Sequence, residues 1–138
     1  MVVEAGTHVL WNGAVLEAGL VSTDKVQQST LREGLEKVDL TADFGGDAPA
    51  VFSTLNTYNG RDFTTTRVTN ATADGFDVAM AELEANTDGH VQEDIAFLAI
   101  STGTFGDLTV DTLEVGRSGV ISGLDVDLAH VSHIDGLD

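Results

Sequence analysis

The sequence predicts an all-β fold, an antiparallel β-sandwich of about six strands, from three observations. Four apolar or alternating runs occupy residues 50–57, 63–70, 75–83 and 91–101, and Gly-, Asn- and Asp-rich turns separate them. Those turn residues accept positive φ or bond their own backbone, so the runs between them are typical of antiparallel strands. Val and Thr, which favour strands, are frequent in the sequence. Only residues 24–33 suit a helix, and these residues suit a loop equally well.

The strands follow in order along the chain. Residues 16–21 are expected to form one strand, and residues 37–42 another, in which apolar and polar side chains alternate. Residues 75–83 alternate in the same way, which predicts a half-buried strand. Residues 91–101 are apolar on both faces, which predicts a central, doubly buried strand. We expect six side chains of these last two runs in the core: Phe76, Val78, Ile95, Phe97, Leu98 and Ile100.

Charge and composition limit the classes of partner. The chain has 138 residues, 42% of them hydrophobic, which suits one domain with a hydrophobic core. The net charge is −17, with only six Lys and Arg, which argues against nucleic acid and anionic membrane surfaces because both bind basic patches. No apolar run approaches the roughly 20 residues of a membrane span, and the lack of cysteine excludes a disulfide-stapled domain.

The two ends of the chain match each other. Residues 2–19 align without gaps on residues 99–116, so that Gly6 meets Gly103. We interpret the match as a tandem array, the alternative being that the terminal segments are strands of the same domain. With no signal peptide visible, an array predicts an internal fragment of a larger extracellular or cell-surface protein. Its expected parts are the end of a preceding repeat with a linker (1–15), one complete repeat (16–103), and a linker with the start of a following repeat (104–138).

One spacing of motifs within residues 49–101 matches a family pattern. Pro49 opens one strand, Arg67 lies in the next, Gly75 and Phe76 follow eight residues after that arginine, and the apolar run 95–100 ends the pattern. This spacing resembles the H-type lectin domain, and also a tandemly repeated domain of large secreted bacterial proteins. The resemblance implies a six-stranded β-sandwich that assembles as a homotrimer and binds N-acetylgalactosamine or galactose.

The chain departs from the lectin pattern at the sugar site. Where the family has a further arginine, four residues before Arg67, this chain has Phe63. Where the family has an aromatic residue followed by histidine, this chain has alanine and asparagine at positions 85 and 86. Arg61 and His90 are the nearest substitutes.

Two short segments carry the candidate ligand-binding residues. The turn at residues 58–62 combines an aromatic ring, an amide, a guanidinium and a carboxylate, which suits a sugar and equally suits an ordinary hairpin turn. The segment 88–94 has the chemistry to bind a sugar, another subunit or a divalent cation, and it also fits an exposed loop. The predicted ligand-binding residues are Tyr58, Asn59, Arg61 and Arg67 on one hairpin, with His90 and Glu93 from the later one.

No catalytic motif occurs in the sequence: there is no nucleophile elbow, phosphate loop, paired-histidine zinc motif or EF-hand spacing. Glu82 and Glu84 share a strand face, which does not place them across a cleft as an acid–base pair, and we interpret them as solvated, with calcium coordination left open. The sequence predicts a non-catalytic carbohydrate-binding or adhesion module with glycans as partners. The alternatives are a spacer repeat without a sugar ligand, stiffened by calcium or not, and a trimerising assembly repeat.

Overall fold

A computed structural model describes residues 3–28, 32–82 and 88–112, and these residues form strands and no helix. The all-β prediction is therefore confirmed for this part of the chain, and it contains no helix long and apolar enough to cross a bilayer. The last part of the expected following repeat, and Glu84, lie outside the described residues. The strands are β1 (Gly6–Val9), β2 (Val15–Thr23), β3 (Glu36–Asp39), β4 (Ala50–Leu55), β5 (Thr64–Thr72), β6 (Gly75–Glu82), β7 (Glu93–Ile100), β8 (Gly103–Phe105) and β9 (Leu108–Val110).

Two antiparallel sheets and one small hairpin are built from these strands. Sheet A has the order β1-β2-β7-β4, sheet B has the order β3-β6-β5, and β8 pairs with β9. The six predicted strands correspond to β2 through β7, while β1 comes from the segment assigned to the preceding repeat and its linker. β8 and β9 lie at the end of the expected repeat and in the linker expected after it. Because β1 is hydrogen-bonded to β2, the structure makes it a strand of sheet A.

The segment that suited a helix runs beside sheet B instead. Val26 forms a parallel bridge with Met80, and Gln27 forms an antiparallel bridge with Arg32. The backbone N–H of Gln27 donates to Met80 O, and that of Met80 donates to Lys25 O, both within 2.9 Å. The described part of this segment is therefore not helical, which agrees with the loop alternative that the sequence left open.

The core lies between the facing sides of sheets A and B, an arrangement compatible with a β-sandwich. Phe76, Val78 and Ile95 are buried in one cluster, as predicted. The Phe97 ring packs against this cluster and meets Phe76 edge-on, with centroids 5.2 Å apart at 73°. Gly19 lies opposite Phe97 in the sheet, and a β-carbon there would be 2.6 Å from the ring, so glycine is needed for this close packing.

The prediction of a doubly buried β7 is wrong for the described residues. Ile95 and Ala99 are fully buried on the inner face, but Ala96, Leu98 and Ile100, on the other face, are only half-buried. Since side chains alternate along a strand, the apolar outer row of β7 faces away from sheet B. The expected core positions Leu98 and Ile100 therefore belong to the outer face of sheet A.

Candidate functional site

A polar groove lies where the loop between β4 and β5 meets the segment before β7. The groove measures about 620 Å³ and also receives residues 24, 25 and 33 from the segment after β2. Four carboxylates and two cationic side chains line it, so its charge is net acidic. The charged residues are Asp24, Lys25, Glu33, Arg61, Asp62 and Asp88.

Glu93, the first residue of β7, holds the turn that forms one wall of the groove. Its side chain is only 2% exposed, and its carboxylate accepts bonds from the backbone N–H of Asn59 at 2.6 Å and of Gly60 at 2.8 Å. The Thr57 hydroxyl donates a third bond at 2.5 Å. A carboxylate with several donors is a strong, directional anchor, so Glu93 fixes the backbone of the turn from below.

The pKa of Glu93 reflects these bonds. Burial acts to raise the pKa, but the hydrogen bonds from Thr57, Gly60 and Asn59, together with the charge on His90, outweigh burial and lower it below its ordinary value. Each of these bonds favours the charged form. The turn is therefore held by an ionised glutamate at neutral pH.

Two further bonds join the same turn to the start of β7. The Asn59 side-chain amide donates to Gln92 O at 2.8 Å, and the Asp94 N–H donates to the Thr57 hydroxyl at 2.8 Å. This bond uses one of the two N–H donors of the Asn59 amide, so the second N–H and the amide oxygen remain to meet a ligand. Arg61 and Asp62, one and two residues past the anchored Gly60, are exposed at the groove wall.

His90 closes the bottom of the groove with a buried ring. Its side chain is 4% exposed, and Nδ1 lies 2.8 Å from Val91 O, which only accepts hydrogen bonds, so Nδ1 carries a proton. Nε2 lies 3.5 Å from Glu82 Oε1, and Nδ1 lies 3.9 Å from Glu93 Oε1. The ring of His90 therefore lies between two carboxylates, one at each nitrogen.

Glu82, the last residue of β6, is the buried partner of His90. Its side chain has no exposed surface, and neither carboxylate oxygen has a hydrogen-bond partner among the described residues. The expectation that Glu82 is solvated is therefore wrong. The reason is the alternation of β6: Glu82 follows Phe76, Val78 and Met80 on the face that points into the core.

Gly60 lets the imidazole of His90 lie directly against the turn. A β-carbon at position 60 would be 2.3 Å from Cε1 and 2.4 Å from Nε2 of that ring. Real β-carbons do not approach so closely, so a side chain here would displace either the ring or the turn. The Asn59-Gly60 pair, selected from the sequence as a turn signal, thus has a second role in packing.

The structure separates the six predicted ligand-binding residues into three groups. Asn59, Arg61 and His90 line the groove, and Glu93 lies beneath them. Tyr58 is 73% exposed and lines a different, smaller hollow of about 170 Å³. Arg67 is exposed on the outer face of sheet B, opposite Ala79 in the strand register. His90 and Glu93 converge because β7 begins only at Glu93, so His90 lies in the loop before the strand.

The groove residues that sequence reasoning missed come from separate segments. Asp24, Lys25 and Glu33 lie far from residues 59–62 in the sequence, and no local pattern links them. Only the tertiary fold brings these segments together. No group of three or more His, Asp or Glu side chains with metal-binding geometry occurs among the described residues.

Comparisons with known proteins add no relative to these observations. No family model, no curated protein and no solved structure matches the chain.

Proposed function

We propose that this chain is a non-catalytic carbohydrate-binding or adhesion module of a larger extracellular or surface protein, with an H-type-lectin-like form of the sandwich. The observation that carries the proposal is the joining of residues 59–62 and 88–91 in one polar groove over a rigid base. Sugars are bound mainly by hydrogen bonds to hydroxyl groups, and the Asn59 amide oxygen, the Arg61 guanidinium and the Asp62 carboxylate supply the acceptors and donors.

The acidic lining favours neutral or amino-bearing glycans over acidic ones. Four carboxylates face the groove against Lys25 and Arg61, and Lys25 Nζ already lies 3.3 Å from Asp24 Oδ1. A uronic or sialic acid would bring further negative charge into this field. The only ring among the described groove residues is the imidazole of His90, so binding rests on hydrogen bonds rather than on stacking.

A single groove of this kind binds weakly, and multivalency supplies the avidity. An affinity of about 1 mM corresponds to about −4 kcal/mol. A homo-oligomer, a trimer by the resemblance, or an array of repeats raises the apparent affinity by roughly 10²–10⁴. We therefore expect binding to be visible on a dense glycan surface before it is visible in solution.

A glycan array with matched arginine variants tests the proposal. Arg61→Ala removes the groove guanidinium at an exposed position, so we expect it to abolish array binding while the chain stays folded. Arg67→Ala removes an equally charged, exposed arginine outside the groove and should leave binding unchanged. If the folded wild-type chain binds no glycan at high density, with or without calcium, the proposal fails.

The second candidate function is a spacer repeat without a sugar ligand. It is favoured by the internal match, because Gly6 and Gly103 each begin a strand with φ of +125° and +123°. Such φ values are characteristic of glycine, and their recurrence at matched positions fits a 97-residue period between the ends. The spacer alternative predicts that the chain folds but binds no glycan on any array.

A further inference from the structure

Tyr58 lies in the turn beside the groove, on a backbone that is fixed on both sides. The residue is 73% exposed. The Thr57 hydroxyl before it and the Asn59 backbone N–H after it both donate to the buried Glu93 carboxylate. The Asp94 N–H also donates to the Thr57 hydroxyl. An aromatic side chain has few rotatable bonds, and on an anchored backbone it loses little conformational freedom on binding. Tyr58 is therefore presented to solvent as a preorganised contact.

The hollow next to Tyr58, here called the Tyr58 hollow, carries no charge. It measures about 170 Å³ and lies along β4 and β5. None of its described lining residues is acidic or basic, although the chain has a net charge of −17. Apart from Leu55 and Tyr58 they all bear aliphatic hydroxyl groups: Ser53, Thr54, Thr64, Thr65 and Thr66. A hydroxyl both donates and accepts hydrogen bonds, so this lining suits a neutral ligand that carries hydroxyl groups itself.

Some of these hydroxyls join the two strands, and others remain for a ligand. Ser53 Oγ donates to Thr66 Oγ1 at 2.8 Å, and Thr66 Oγ1 donates to Ser53 O at 3.1 Å, which links β4 to β5. Thr54 and Thr65 are exposed. The bond from the Thr54 hydroxyl to Leu55 O is 3.5 Å long and therefore weak. The hollow thus offers hydroxyls beside an exposed aromatic ring, which match the hydroxyl rim and the apolar C–H face of a sugar unit.

The Tyr58 hollow and the groove meet at this turn. Tyr58 lines the hollow and Asn59, the next residue, lines the groove, and consecutive Cα atoms are only about 3.8 Å apart. Neighbouring units of one glycan can therefore occupy both depressions. The groove supplies hydrogen bonds for the first unit, and the phenol ring supplies the stacking surface that the described groove residues lack.

We infer that Tyr58 and its hollow form a second subsite, in which a neutral sugar unit stacks on the phenol ring and bonds to the threonine hydroxyls. The ligand class is then a glycan of at least two units, with a neutral second unit, rather than a monosaccharide. The inference rests on the proposed function, because the groove holds the first unit. It adds a dependence of affinity on glycan length, which groove binding alone does not predict.

A glycan array that varies chain length tests the inference. The array carries galactose, N-acetylgalactosamine, glucose and N-acetylglucosamine, each as a single unit and as chains of two to four units. In the series that binds, we expect the half-saturating protein concentration to fall about three- to tenfold from one unit to two, the range for one aromatic contact. Equal binding of one and two units would overturn the subsite and leave the groove proposal standing. Binding to no series would overturn both.

Two variants of Tyr58 and one matched variant separate stacking from other effects. Tyr58→Ala should bind one-unit and two-unit glycans alike, whereas Tyr58→Phe keeps the ring and should keep most of the gain. Phe63→Ala removes a ring that is 68% exposed and lines neither depression, so it should leave the gain unchanged. A full gain in Tyr58→Ala would overturn the inference.

The ring of Tyr58 can also be observed directly, because it is the only tyrosine of the chain. Isotope labelling of tyrosine rings therefore gives NMR signals from this one residue. They should shift when the two-unit glycan of the binding series is added to saturation, and much less with the single unit. Unchanged ring signals while the amide resonances of the groove respond to the two-unit glycan would overturn the subsite and leave the groove as the whole site.

Discussion

At the scale of single residues, the buried pair of Glu82 and His90 is the most sensitive feature of the groove. Breaking a buried ion pair by removing one partner costs about 3–5 kcal/mol, because the other charge is left buried. We therefore expect His90→Ala to lower the free energy of unfolding by about this amount, measured by urea titration. Adding Glu82→Gln to His90→Ala replaces the buried carboxyl group that has lost its partner and should recover part of the loss. No recovery would show that His90 stabilises the fold by packing alone.

Gly60 offers a second test at this scale. Gly60→Ala places a methyl group into the His90 ring, and overpacking of this kind costs about 1–3 kcal/mol in urea unfolding. The penalty should shrink when His90 is also replaced by alanine, since the atoms that clash are then gone. A double-mutant cycle measures this coupling. An unchanged penalty in the His90→Ala background would contradict the close contact.

Glu93 makes the stability of the turn depend on pH. Its folded pKa lies below the ordinary value of 4.5, so between the two values the unfolded chain binds more protons than the folded chain. The stabilisation is complete above the ordinary value and is lost as pH falls through the folded value.

We therefore expect Glu93→Gln to lower the free energy of unfolding at neutral pH and to flatten its decline below about pH 5. The measurement is urea unfolding across this range. Glu4→Gln, at an exposed residue, is the control and should leave both the slope and the neutral-pH stability nearly unchanged. Parallel pH profiles for Glu93→Gln and the wild type would contradict the role given to Glu93.

At the scale of elements, alternation within a strand was predictable, but the surroundings of each strand were not. The runs that became β4 to β7 were recognisable because turn residues and period-two patterns are local signals. The same period places Glu82 on the inner face of β6, so its burial could have been predicted from the sequence. We expected it to be exposed to solvent because of its charge.

The burial of β7 was harder to predict for a physical reason. Apolar side chains on both faces of a strand do not show which surface covers each face. In the described chain, sheet B covers only one face of β7. The groove shows the same limit, because residues 24, 33, 59–62 and 88–91 converge only through tertiary packing. Local patterns therefore predicted the turn at Asn59 and Gly60, but not what it faces.

The core between the sheets gives a prediction with a matched control. Phe76 is 2% exposed and packs edge-on against Phe97, whereas Phe63 is 68% exposed. Phe76→Ala should cost about 3–5 kcal/mol in urea unfolding through lost burial and the cavity left behind. Phe63→Ala should change stability by less than about 0.5 kcal/mol. Similar losses for the two variants would contradict the assignment of the inner face of β6.

At the scale of the whole molecule, the groove and the outer face of sheet A have opposite chemistry. The groove lies at loops and is acidic and polar, while the outer face of sheet A is apolar where it lines a hollow of about 460 Å³. The proposed glycan binding belongs to the groove and the turn that borders it, and several grooves in an oligomer or an array of repeats would increase avidity for a dense glycan surface without any new contact.

The most direct test of the account is to locate a bound glycan on the folded chain by NMR. The chain is titrated with the glycan that binds best on the array, and the shifts of the backbone amide resonances are mapped onto the structure. The account predicts that the largest shifts fall at residues 59–62 and 88–91, and that Arg61→Ala abolishes them while Arg67→Ala does not. Largest shifts around Tyr58 and Arg67, or no shift with any glycan, would contradict it.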